Sequence, residues 1–212
     1  RCRIAVAMDQ AFSFYYQDNL DKLVAAGAEL RYFSPLNDRV LPEADGLYLG
    51  GGYPELHLSR LSQNETMRES IRRAIENGMP TVAECGGFLY LQSALKDENG
   101  TLWPMVGALD GTGYGTDRLQ RFGYLTLTGA RDSLLLRAGE TVPAHEFHYW
   151  DCTDCGTDLM AGKANGRTWP CGFAGESLYA AFPHFHWGGE IPMAARFVQA
   201  AEAYREAKRH EA

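Results

Sequence analysis

One run, Met79-Pro80-Thr81-Val82-Ala83-Glu84-Cys85-Gly86-Gly87-Phe88-Leu89-Tyr90-Leu91, constrains this chain more than any other. Thr81 to Ala83 reads as a β-strand, two glycines follow Cys85, and Phe88 to Leu91 begin a helix. A strand that turns so sharply into a helix lifts the side chain at its tip above the sheet edge, the geometry of a nucleophile elbow. The turn leaves room only for small residues two positions before and after the tip, and Ala83 and Gly87 occupy those places. The helix start directs amide N–H groups and the positive end of its dipole at the sulfur, and the Gly86 amide is placed to donate to an oxyanion. Cys-Gly-Gly alone also suits a buried cysteine ending a core strand, so its meaning depends on the segments around it.

Those segments alternate strand and helix. Arg3 to Met8 reads as a buried strand, followed by the aromatic-rich exit Phe12-Ser13-Phe14-Tyr15-Tyr16. A helix over Asn19–Ala26 follows, with Asp18 as its cap and Gly27 as its stop. Glu29–Phe33 and Ala44–Leu49 give two more strands, the second running into Gly50-Gly51-Gly52-Tyr53-Pro54-Glu55. Three glycines after a buried strand imply a tight turn or a backbone that something approaches closely. Thr66 to Glu76 carries Met67, Ile71, Ala74 and Ile75 on one helical face and stops at Asn77-Gly78. This order predicts a doubly wound α/β sheet with its site at the carboxyl edge, where the glycine loop and the Cys85 elbow are neighbours.

From Asp97 onward, turn signals alternate with short β-like runs such as Phe122–Leu127, which predicts antiparallel strands added to the sheet. In Ala144–Trp150, alternation places His145, Phe147 and Tyr149 on one side and Glu146 and His148 on the other. Splitting the histidines between faces speaks against a metal site there. Ser177–Phe182 leads into Pro183-His184-Phe185-His186, whose histidines can supply a base to a cysteine nucleophile. Pro192 to Lys208 reads as a closing amphipathic helix.

The 212 residues suffice for one large domain, and a net charge of −7 argues against nucleic-acid binding. No stretch of about 18 apolar residues is present to span a membrane. No G-x-x-x-x-G-K-[ST] segment occurs, so this part of the protein has no phosphate loop for ATP. Five scattered cysteines predict reduced thiols and a cytoplasmic setting. Cys152 and Cys155 have the spacing of a redox pair or half a zinc knuckle with Cys171 as a third ligand, and a chance pair in a loop is the simpler reading.

Gly50–Leu56, Ala83–Gly87, His145-Glu146-Phe147-His148 and Pro183-His184-Phe185-His186, all in register, resemble the glutaminase domains of the cobyrinate a,c-diamide synthase family. Ile4–Tyr16 and Phe33-Ser34-Pro35-Leu36 resemble them too, so the likeness covers nearly the whole chain. It implies an α/β, class I glutamine amidotransferase-like fold: a mostly parallel central sheet, flanking helices and added antiparallel strands. Residues 1–212 would form one glutaminase domain of a longer enzyme whose N-terminal ATP-dependent synthetase domain is absent here. Glutamine would be the amide donor and a corrinoid or related tetrapyrrole the acceptor, including hydrogenobyrinate or nickel-sirohydrochlorin. ATP and Mg would belong to the synthetase domain, with no cofactor or metal in this one.

The resemblance also assigns roles. Cys85 is the nucleophile, His184 rather than His186 the base, and Gly52 and Gly86 the oxyanion donors. Glu146 and His148 line the pocket or brace the base, and Glu55 touches the α-amino group of glutamine. His186 stands where most class I glutaminases have a glutamate that orients the histidine, which implies a Cys-His dyad. The missing third member, with Pro183 fixing φ beside the base, motivates an alternative in which the domain is an idle docking module.

Overall fold

The computed structural model describes residues 1–211. In chain order, the first half comprises β1 (Arg3–Ala7), β2 (Phe12–Phe14), α1 (Gln17–Ala25), β3 (Glu29–Phe33), β4 (Gly46–Leu49), β5 (Gly51–Gly52), α2 (Leu58–Gln63), α3 (Glu65–Glu76), β6 (Thr81–Glu84) and α4 (Gly86–Leu91). The second half is β-rich: β7 (Ala94–Lys96), β8 (Leu102–Pro104), β9 (Thr112–Gly115), β10 (Arg121–Gly129), β11 (Thr141–His148), β12 (Trp150–Cys152), β13 (Leu159–Gly162), β14 (Thr168–Cys171), β15 (Phe173–Ala174) and β16 (Leu178–Ala181), closed by α5 (Met193–Glu211).

A six-stranded sheet in the order β15-β16-β6-β4-β1-β3 forms the centre. Its neighbours pair in parallel except at the β15 edge. Strands buried on both faces must be apolar throughout, and Ile4–Ala7 and Leu47–Leu49 are inaccessible. One core forms against α1 and α5, through Leu20, Leu23, Phe197, Val198 and Ala201. The other forms on the opposite face, through Leu61, Met67, Ile71, Phe88 and Leu91.

The antiparallel strands do not simply widen this sheet. Only β15 joins it, while the others build two four-stranded sheets, β11-β10-β13-β14 and β12-β9-β7-β8. Along β10 and β11 buried and exposed residues alternate, because one face of the ribbon packs on the core and the other meets solvent.

The start of α1 differs from the sequence expectation. The helix begins at Gln17 with Tyr16 at the N-cap position, so Asp18 lies in the first turn and makes no cap hydrogen bond. Its carboxylate instead meets His186 Nε2 at 3.0 Å. None of the described helices is long and apolar enough to cross a membrane.

Candidate active site

Three adjacent strands deliver the site. Ala83 of β6 pairs with Leu49 of β4, and Glu84 of β6 pairs with Ala181 of β16. The segments leaving their carboxyl ends are therefore neighbours: the glycine loop from β4, Cys85 from β6, and Pro183-His184 from β16.

Cys85 is the only described non-glycine residue with positive φ (φ 48°, ψ −102°). Its amide donates to Ala181 O at 2.9 Å and its carbonyl accepts from Leu89 N at 2.9 Å, which locks the tip between sheet and helix. The small-residue requirement holds: Ala83 is fully buried, and a Cβ at Gly87 would collide with the Leu49 carbonyl. Such backbone strain costs roughly 1–3 kcal/mol, whereas placing glycine in a folded chain costs roughly 0.5–1 kcal/mol of extra conformational entropy. Cys85→Gly is therefore expected to raise the thermal unfolding midpoint slightly while abolishing any reaction that needs the thiol. A clearly lowered midpoint would show that the turn stores no strain.

The three glycines of the loop are each required. A side chain at Gly50 would strike the Tyr15 ring, whose hydroxyl accepts from Gly50 N at 2.9 Å. A Cβ at Gly51 would stand 2.6 Å from His184 Cε1. Gly52, at φ 155°, lies so close to the Ala11 carbonyl that no side chain fits. The loop also abuts the elbow, since a Cβ on Gly86 would sit 2.9 Å from Gly52 N. The two backbone amides assigned to the oxyanion thus come from touching segments.

His184 is buried and held on several sides. Its backbone exchanges two 2.8 Å hydrogen bonds with His145 of β11, which fixes the ring's origin despite the preceding Pro183. Its Nδ1 donates to Glu84 Oε2 at 3.2 Å, and Cys85 stands close enough to act electrostatically on the ring. Burial alone would push its pKa down, but the contacts with Cys85 and Glu84 outweigh this and raise it to about 10. The imidazole therefore stands beside the sulfur as an imidazolium, and the six-residue helix α4 is not its sole electrostatic support.

Glu84 supplies the element that sequence reasoning missed. The residue directly before Cys85 is 2 % exposed, and its Oε2 also accepts from Tyr48 OH at 3.3 Å. Its Oε1 has no hydrogen-bond partner among the described residues. A carboxylate thus meets His184 from the residue before Cys85, not from two residues beyond the histidine. Glu84 lies against His184 in addition to the Cys85–His184 pair expected from position 186. The available signal was an acidic residue ending an otherwise apolar buried strand, because carboxylates are almost never buried unpaired.

The remaining predicted residues separate. His186 is exposed and turned towards Asp18 of α1. With β16 ending at Ala181, strand alternation no longer aligns it with His184. Glu146 and His148 are buried on the inner face of β11, with His148 turned to Trp150. The His148 ring stacks on Phe182 with centroids 3.9 Å apart, and its Nδ1 meets Trp150 O at 2.6 Å. His148 thus supports the Phe182-Pro183-His184 segment from behind. Glu55 lies just beyond Pro54, which touches Gly86, and borders a cleft of about 890 Å³ also lined by Tyr114, Thr116 and Trp150. Burial raises the pKa of its carboxyl group to about 7.

Cys152 and Cys155 are joined by a disulfide, contrary to the expectation of reduced thiols throughout. The turn after β12 brings their Cα atoms to 5.7 Å, within bridging range. Asp151 adjoins the pair, while Cys2, Cys85 and Cys171 are free.

A strained cysteine elbow, a buried histidine and a glycine loop at the carboxyl edge of a mostly parallel sheet define a glutamine amidotransferase-type fold. Solved structures share it. The PurLQS structure from Thermotoga maritima superposes with a TM-score of 0.62 at 17% identity, covering 96% of this chain and 99% of that one. A GMP synthase component from Thermoplasma acidophilum gives 0.61 at 15% identity, covering 99% and 98%. Residues 3–190 match the CobB/CobQ-like glutamine amidotransferase domain, and the chain belongs to that family. Similar relatives include cobyrinate a,c-diamide synthases from Caldanaerobacter subterraneus (41% identical over 88% of this chain), Listeria monocytogenes (40% over 94%) and Picrophilus torridus (39% over 94%). The matched region spans only 42%, 45% and 43% of those relatives' lengths.

Proposed function

We propose that this chain hydrolyses glutamine and passes the ammonia to an ATP-dependent centre that amidates the a and c carboxylates of a cobyrinate-type tetrapyrrole. The observation that carries the reading is the gathering of the strained Cys85 elbow, the buried His184 held by Glu84, and the glycine loop packed against the His184 ring at one sheet edge. Family membership and the names of the longer relatives support the amide donor and the acceptor class.

In this reading, Cys85 attacks the side-chain amide carbon of glutamine as its thiolate, the reactive form of a cysteine, with the His184 imidazolium beside it. The amides of Gly86 and Gly52 hold the resulting oxyanion. His184 gives its proton to the departing nitrogen, releasing ammonia and leaving a thioester. It then takes a proton from water, whose oxygen displaces the sulfur to yield glutamate. Glu84 keeps the imidazole in one orientation and stabilises its charge whenever it carries the second proton. Glu55 faces the cleft where the α-amino group of glutamine would lie. ATP and Mg act in the longer part of the enzyme, because this chain carries no phosphate loop.

Glutamate and ammonia measured in parallel from glutamine test the first half. Equal yields, lost in Cys85→Ala, are expected; continued release from that variant would overturn the assignment. The acceptor is tested by supplying cobyrinate, hydrogenobyrinate and nickel-sirohydrochlorin to the complete enzyme with ATP. Amidation of neither the first nor its relatives would refute the tetrapyrrole class.

A further inference from the structure

The outward face of the β10–β11 ribbon is two-toned. Near its far end it carries Thr126, Thr141 and Pro143, as a solvated strand face should. At the end beside the catalytic residues it carries Phe122, Tyr124, His145, Phe147 and, just beyond β11, Tyr149. Phe122, Tyr124, Phe147 and Tyr149 are 63 %, 83 %, 45 % and 49 % exposed. Ring contacts at 5.5–6.5 Å join all five into one continuous patch. Cross-strand pairing of Phe122 with Phe147 and Tyr124 with His145 stabilises the ribbon. It does not account for a tyrosine that leaves four-fifths of its surface in water.

The patch is tied to the site through backbone, since His145 is the residue that hydrogen-bonds His184. On the other side of His184, Phe14 lies 4.8 Å away between ring centroids and continues to Tyr16. Exposed aromatics therefore flank the base on both sides. Apolar patches of this kind mark interaction surfaces, and aromatic residues are the side chains most enriched where proteins bind one another.

We propose that this aromatic face is the docking surface for the ATP-dependent amidating part of the enzyme. The inference deepens the glutaminase reading and rests on it for what the partner does. The occupant is indicated by length and by chemistry. The relatives carry more than half of their sequence outside the matched region. Ammonia released beside His184 must also reach a carboxylate activated elsewhere before it is lost to solvent. A partner seated on rings that adjoin the base would cover that exit, whereas one on the far faces of α3 or α5 would not.

Hydroxyl-radical footprinting compares the 212-residue chain with the complete enzyme. Labelling of Phe122, Tyr124, Phe147 and Tyr149 is expected to fall at least threefold in the complete enzyme. The double variant Phe122→Ser/Tyr124→Ser should lose at least tenfold in glutamine-driven amidation while keeping ammonia-driven amidation and its thermal midpoint. Equal labelling in both forms would overturn the proposal. So would protection that appears in the isolated chain and grows with its concentration, which would make the occupant a second copy, or protection seen only on adding the tetrapyrrole, which would make it the acceptor. Labelling Cys85 in the same samples with a glutamine analogue separates the two readings. A reactive Cys85 with an open aromatic face refutes docking alone, and an inert Cys85 with a protected face refutes the glutaminase reading alone.

Discussion

Glu84→Gln is expected to lower kcat/KM for glutamine hydrolysis by up to about 10⁴-fold, the loss when the carboxylate that orients a catalytic imidazole is replaced by its amide. Glutamine is isosteric, so the β6 strand and the elbow should persist, but Oε2 is the one atom that meets both Tyr48 OH and His184 Nδ1, so an amide nitrogen there no longer accepts from the tyrosine. What changes is the group facing His184 Nδ1. An amide N–H there would favour the tautomer in which Nδ1 accepts, and the part of the upward pull on the imidazole pKa that Glu84 adds to that of Cys85 would be gone. The sign of the pH effect follows. With a pKa raised to about 10, wild-type His184 stays protonated through neutral pH and loses its proton only in the alkaline range. The alkaline limb of the rate profile should therefore move to lower pH in the variant. A merely structural role for Glu84 would lower the unfolding midpoint and leave the position of that limb unchanged.

Gly51→Ala should also be damaging, by a different route. The backbone at Gly51 lies outside the positive-φ region, so alanine is conformationally acceptable there. Its methyl group, however, would lie 2.6 Å from His184 Cε1 and 3.2 Å from Phe14 Cβ. The ring must move, and a displacement on the order of 1 Å at a catalytic group costs about 10²-fold in rate. Overpacking should cost only about 1–3 kcal/mol in stability. The expected outcome is thus a folded protein with a greatly reduced kcat, assayed by glutamate release beside a thermal melt. Wild-type turnover would mean that His184 does not need its observed position.

The parts legible in sequence were those with a local backbone cause. Ala83, Cys85 and Gly87 encode the elbow because each responds to the same tight turn. The triple glycine encodes close approach, although the residues that approach, Tyr15, His184 and Ala11, come from distant segments. The alternation of β11 correctly divided His145, Phe147 and Tyr149 from Glu146 and His148. Contacts set by tertiary placement were not legible. Glu84 was hidden by its adjacency to Cys85: reading the family pattern directs attention two residues beyond the histidine, where His186 has turned away to Asp18. The mispredicted cap at Asp18 has the same origin, since its carboxylate is engaged by that histidine and not by the helix N-terminus. The separate sheets of the second half could not be told from an extension of the central one, because a short alternating strand reads the same in either.

Reaction of the protein with the electrophilic glutamine analogue 6-diazo-5-oxonorleucine, followed by peptide mass spectrometry, tests the central claim most directly. Labelling confined to Cys85 and lost or strongly slowed in His184→Ala is the predicted result. It would show a glutamine-shaped site in which the histidine activates the sulfur. A Cys85 that stays unmodified while Cys2 or Cys171 reacts, or one that reacts equally fast without His184, would contradict it.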